Sequence, residues 1–156
     1  MKLRHLFFAC SGVFVMMFSL LLLVVIVFSD EEDGGSGGNL IYGGVSVSQE
    51  VLAHKPMLEK YAREYGIEEY LNVLLAIIQV ESGGTLEDVM QSSESLGLPP
   101  NSLSTEESIK QGCKYFSELL AAAETKGCDL NSVIQSYNYG GGFLDYVAGR
   151  GKKYTF

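Results

Sequence analysis

Leu74 to Gly84 reads LLAIIQVESGG, an apolar run at helical spacing that ends on one carboxylate and two glycines. Leu74, Ile77 and Ile78 stand seven, four and three positions before Glu81, so the carboxylate shares the side of the helix that those residues bury. Ser82, Gly83 and Gly84 then stop the helix, because glycine adopts the left-handed turn of a helix end without steric cost. Two effects act on Glu81 in the same direction. Apolar neighbours exclude water and the negative end of the helix dipole lies close, and both disfavour the anion and raise the pKa. A Glu with a pKa of about 4.3 is only about 0.2% protonated at pH 7, whereas one moved to about 6 can serve as a general acid.

Outward from this stretch, the chain keeps a helical period. The central helix spans about Glu68 to Glu81 and is apolar on nearly every side, the pattern of a helix surrounded by protein. Before it, Ser46 and Gln49 fit a capping box that opens a short first helix. Pro56 suits the first position of a second helix, with Leu58, Tyr61, Ala62 and Tyr65 on its inner face and Gly66 closing it. After it comes a polar loop with DVMQSSES and Pro99-Pro100. Ser104 and Glu107 form a capping box for the best-patterned helix, which Gly127 ends, and Asp129 caps another that carries Leu130, Val133, Ile134 and Tyr137 inward. Phe143 to Val147 add one more short helical turn. No run of alternating strand residues stands out, so the fold class is all-α.

The amino-terminal quarter is of another kind. Leu6 to Phe28 carry no charge, and at about 1.5 Å per residue they reach about 34 Å, enough for a bilayer core of about 30 Å. The run exceeds the roughly 7 to 15 apolar residues of a signal-peptide core, and Phe28-Ser29-Asp30 is a poor cleavage site, so it reads as a transmembrane anchor. Lys2 and Arg4 precede it and Asp30, Glu31, Glu32 and Asp33 succeed it. Residues 1–5 are therefore a cytoplasmic stub, and the chain beyond residue 28 is extracytoplasmic, held at the cell membrane by a single pass. Residues 29–44 are acidic and then glycine-rich, a tether of about 20 to 24 Å root-mean-square that keeps the domain at 45–156 close to the bilayer.

Composition excludes several functions. Residues 45–156 carry nine lysines and arginines against fifteen aspartates and glutamates, so no basic patch for nucleic acid is present. His54 is the sole histidine there, with Cys113 and Cys128, which is too few His and Cys side chains for a zinc site. Cys113 falls within a helix ending near Lys126, about 20 Å from Cys128 along the axis, too far for a disulfide. His54 has no local partner that would make it the base of a serine triad, and it reads as structural.

Three motifs in order carry a resemblance: ESGG at Glu81 to Gly84, DVMQSS at Asp88 to Ser93, and SYNYGGGF at Ser136 to Phe143. Together they resemble the lysozyme-like domain of CwlT-type cell-wall hydrolases of Gram-positive mobile elements, which are related to goose-type lysozymes and soluble lytic transglycosylases. The resemblance covers about Ser46 to Phe156 and implies an all-helical lysozyme-like muramidase domain with a glycan groove and no cofactor. It makes Glu81 the catalytic acid, sets Gln91 and Ser92 beside the glycan cleft, and brings Tyr137 and Asn138 to the same cleft. The substrate it implies is peptidoglycan, cut between N-acetylmuramic acid and N-acetylglucosamine, and conjugation machinery is an implied partner. Proteins of this type usually continue into an NlpC-type cysteine peptidase domain, and the domain adds residues beyond Phe143; by that measure the domain here is incomplete at its C-terminus.

The second catalytic group is open. Asp88, seven residues after Glu81, is the leading base or nucleophile and Glu94 the next, but Asp88 also suits the cap of a turn starting at Val89. If neither reaches, Glu81 acts alone as acid and then base, as in a lytic transglycosylase. Tyr137 lies at core spacing, and the Asn-Tyr-Gly after it points instead to a cleft. A non-catalytic glycan-binding module is the reading from a different class.

Overall fold

The apolar run becomes helix α3 (Leu71–Glu81), and six consecutive residues of it, Val73 to Ile78, are buried. Leu74, Leu75, Ile77 and Ile78 are among the largest fully buried side chains, each contributing about 1.5–3 kcal/mol of transfer free energy. The structure, a computed structural model, describes residues 40–42 and 45–154. The expected stub, the membrane helix at residues 6–28 and the tether as far as residue 39 lie outside the described residues. Among the described residues, no helix is long and apolar enough to cross a membrane.

Around α3 stand α1 (Gln49–Ala53), α2 (Lys55–Glu64), α4 (Thr105–Lys126), α5 (Leu130–Tyr139) and α6 (Gly142–Ala148). A mostly helical domain results. The long helix α4 packs on α2, α5, α6 and a 3₁₀ turn at Ser92–Leu96, while α3 packs on α1 and α2. The Ser104 box forms as its sequence requires: the Glu107 carboxylate accepts from the Ser104 backbone N–H at 3.1 Å and from its hydroxyl at 2.6 Å. Asp129 likewise accepts from the Ser132 N–H at 3.0 Å and starts α5.

Three details differ from the sequence expectations. The central helix begins at Leu71, because Glu68–Tyr70 form a separate 3₁₀ turn. Tyr70, at φ −95° and ψ 13°, sits outside the helical range, and its ring packs edge-on to Phe116 with centroids 5.8 Å apart. A short antiparallel pair also exists, β1 (Leu40–Tyr42) with β2 (Val45–Val47), in register Leu40 to Val47 and Tyr42 to Val45. It crosses the boundary drawn between tether and domain, and three-residue strands are too short for an alternating pattern to declare them. Ser46 is consequently held in the ladder opposite Ile41, and Ser48 caps α1 instead, accepting from the Val51 N–H at 3.3 Å.

Candidate active site

Glu81 is the last residue of α3, and the turn after it is stapled to the amino-terminal helices. The Ser48 N–H donates to Gln79 Oε1 at 2.7 Å, its hydroxyl donates to the Gly83 carbonyl, and His54 Nε2 bonds the Gly84 carbonyl at 2.9 Å. His54 is thus structural. Gly84 has φ +78°, and a Cβ there would lie 2.6 Å from the Val51 backbone nitrogen, so only glycine fits this close approach. Glu81 is partly buried, and its carboxyl is pushed up to about 7. Burial is the main cause, followed by the negative charges of Glu94 and then Asp88.

The second motif folds back over the first. The Ser82 hydroxyl donates to the Val89 carbonyl at 2.8 Å, which ties the DVMQSS loop to the end of α3. Asp88 is fully buried and is engaged on both oxygens. Its Oδ1 accepts from the Ser108 hydroxyl at 2.6 Å and the Ser92 N–H at 3.0 Å, and its Oδ2 accepts from the Ser93 N–H at 3.3 Å. The leading sequence candidate for a base or nucleophile is therefore occupied in capping a turn. The capped turn is the 3₁₀ turn at Ser92, not one starting at Val89.

Ser108, from the first turn of α4, joins the same network. It also accepts from the Met90 N–H at 3.0 Å, and its own carbonyl accepts from Ser92 Oγ at 2.9 Å. Tyr137, from α5, donates its hydroxyl to the Met90 carbonyl at 3.0 Å. Gly112 makes room for both partners, since a Cβ there would meet Met90 Sδ at 2.5 Å and the Tyr137 hydroxyl at 2.9 Å. The loop is thus fixed by α3, α4 and α5 together.

Beside this network opens a cleft of about 230 Å³. Gln91, Ser92, Glu94, Tyr137 and Asn138 line it, so five of the candidates meet there, while Glu81 and Asp88 are not among its lining residues. Tyr137 and Glu94 are both within electrostatic reach of Glu81: burial first and then the charge of Glu81 raise the Tyr137 hydroxyl, and the charge of Glu94 adds to burial in raising Glu81. Gln91 holds φ +46°, and its amide donates to the Asp88 carbonyl and to Asn101 Oδ1, both at 2.8 Å. Glu94, by contrast, is exposed. The sequence reading missed Tyr115, Ser95, Tyr139 and Gly140, which complete the lining, and Ser108 behind it. Tyr115 stands against Tyr137 with ring centroids 5.5 Å apart. A serine on the apolar face of α4, next to Ile109 and four before Gly112, was the available signal for Ser108. A larger cavity of about 520 Å³, near Tyr65, Tyr70, Leu120 and Glu124, contains none of the candidates. Among the described residues no cluster of three or more His, Cys, Asp or Glu could hold a metal ion.

The comparison with known families agrees with this geometry, since residues 48–156 match the family described as lysozyme-like. The chain belongs to the lysozyme-like family. Its lysozyme-like domain is 44% identical over 115 residues to the bifunctional muramidase/DL-endopeptidase CwlT of Bacillus subtilis, covering 73% of this chain and 34% of that protein. It is 41% identical over 108 residues to a pneumococcal vaccine antigen A homolog of Streptococcus pyogenes, covering 69% of this chain and 54% of that one. A crystal structure from Staphylococcus aureus Mu50, described as similar to lipoprotein of the NLP/P60 family, superimposes with a TM-score of 0.69 at 77% identity. That match covers 70% of this chain and 37% of the other. The chain thus spans between about a third and a half of the length of these relatives.

Proposed function

We propose that this chain is a membrane-anchored peptidoglycan glycosidase that cuts the β-1,4 bond between N-acetylmuramic acid and N-acetylglucosamine. The observation that carries the reading is Glu81, a partly buried carboxyl pushed up to about 7 by burial and then by the charges of Glu94, which lines the cleft of about 230 Å³, and of Asp88. A carboxyl with that pKa is half protonated near neutral pH and gives its proton to the leaving glycosidic oxygen. Similarity to a protein named as a muramidase supports the glycan as substrate.

Glu94, exposed in the cleft and near enough to raise Glu81, is the carboxylate available to receive a proton from the attacking water. Asp88 acts through position: it fixes the backbone of Ser92 and Ser93 under the cleft wall, and its charge helps keep Glu81 protonated. The engagement of Asp88 favours a second reading. In that reading Glu81 works alone, and the muramyl residue's own hydroxyl attacks the anomeric carbon and returns its proton to Glu81, the lytic transglycosylase outcome. Anchoring by the apolar helix at 6–28 would restrict cutting to wall close to the membrane, and local opening during conjugative transfer is the setting the family resemblance implies.

Mass spectrometry of sugars released from purified peptidoglycan by the detergent-solubilised full chain tests the reading. Reducing muramic ends identify the hydrolase and anhydro ends the transglycosylase. Intact glycan strands after exhaustive incubation would refute both.

A further inference from the structure

Tyr139, the last residue of α5, lines the cleft and also lines a second cavity of about 280 Å³, whose wall includes Phe143, Tyr146, Arg150 and Lys153. Phe143 is the hub of that wall, with the rings of Tyr139, Tyr146 and Tyr154 at centroid distances of 5.2, 5.8 and 6.1 Å. Tyr139 and Tyr146 are 45% and 54% exposed, the two exposed large aromatics among the described residues. A cluster that served only to pin the chain end would have no reason to leave these two rings open to water.

Charge points the same way. The chain is acidic, with a net charge of −8, yet Arg150 and Lys153 line the cavity with these rings. The Arg150 guanidinium lies 3.9 Å over the Tyr146 ring, which occupies its face and leaves its in-plane N–H donors for a planar acceptor. Asp145, the carboxylate nearest in sequence, is paired with Lys126. Among the described residues, no carboxylate forms an ion pair with Arg150 or Lys153.

We propose that this cavity is a subsite for a muramyl residue beyond the point of cleavage. The aromatic wall stacks on the apolar face of the sugar, and Arg150 with Lys153 holds a carboxylate of the peptide that the muramyl residue bears. The proposal rests on the glycosidase reading above, and Tyr139, common to both cavities, is where a strand lying in the cleft would pass to this one. A planar carboxylate matches the guanidinium fork, and a charge-assisted pair of this kind is among the stronger hydrogen bonds.

The test compares the full chain with the R150A/K153A double variant on peptide-bearing glycan and on glycan stripped of its peptides by an amidase and then amidated at the lactyl carboxyls that the stripping exposes. The variant is expected to raise KM about ten-fold on the peptide-bearing substrate with kcat unchanged, and to leave the stripped substrate untouched. Equal changes on both substrates, or none on either, would overturn the proposal. An effect that instead tracks removal of phosphodiester polymers from the wall would also overturn it, assigning the site to phosphate. If wild type cuts neither substrate, the glycosidase reading fails, and sedimentation with insoluble wall decides the subsite separately. Binding weakened by peptide removal in wild type but not in the variant supports it, and identical binding refutes it.

Discussion

Replacing Glu81 by Gln removes the charge whose burial sets the properties of the site, and the consequence is measurable without any substrate. The carboxyl moves from its usual 4.5 to about 7 in the folded chain. The folded state therefore holds this proton more firmly than the unfolded state, so the associated stability is complete below pH 4.5 and is lost as pH rises through 7. At about 1.36 kcal/mol per tenfold change in proton affinity, the full loss by pH 8 is about 3.4 kcal/mol. Glu81 is only partly buried, and solvent around the anion reduces this to about 2 kcal/mol. Glu81→Gln escapes the penalty while keeping nearly the same shape. The variant is expected to be more stable than wild type by about 2 kcal/mol at pH 8, with the difference shrinking toward zero near pH 4.5. Urea unfolding at the two pH values measures it through tyrosine fluorescence, as the chain has no tryptophan. A difference independent of pH, or a variant less stable at pH 8, would refute the burial argument.

Other perturbations separate the roles of the neighbours. Asp88→Ala leaves the Ser92 and Ser93 N–H groups and the Ser108 hydroxyl without their acceptor, and denaturant unfolding should show a loss of about 2–4 kcal/mol. Glu94→Gln removes the carboxylate assigned to the attacking water, so the rate should fall, and because it also removes the like charge that ranks second in raising Glu81, the alkaline limb of the remaining activity should move to lower pH. An unshifted limb would mean that the two carboxyls do not communicate. Gly84→Ala drives a methyl into the α1 backbone at a positive φ, and its melting temperature should fall well below that of Gly83→Ala, where the nearest side-chain atom stands 3.9 Å away.

Much of the fold was legible in the sequence, and the parts that were not have physical causes. The burial of α3 came from apolar residues on every face, and the two best helix starts came from Ser104 with Glu107 and from Asp129, because caps are local. Gln91, Ser92, Glu94, Tyr137 and Asn138 line one cleft, a meeting of distant segments that spacing alone could not supply. The role of Asp88 was out of reach, since its partner Ser108 lies 20 residues away and nothing local distinguishes a buried cap from a free carboxylate. Tyr115 and Tyr139 were hidden for the same reason: each reads as one more apolar residue of its helix until the fold places it at the cleft. The strand pair escaped because its residues number three on each side.

The central claim is that Glu81 supplies the proton for glycosidic cleavage. The most direct measurement is the rate at which the full chain clears a peptidoglycan suspension near pH 6, compared with Glu81→Gln. Wild type should clear it and the variant should lose at least about a hundred-fold, the usual contribution of a general acid, while still sedimenting with the wall. A variant that clears the suspension within a few-fold of wild type would contradict the account.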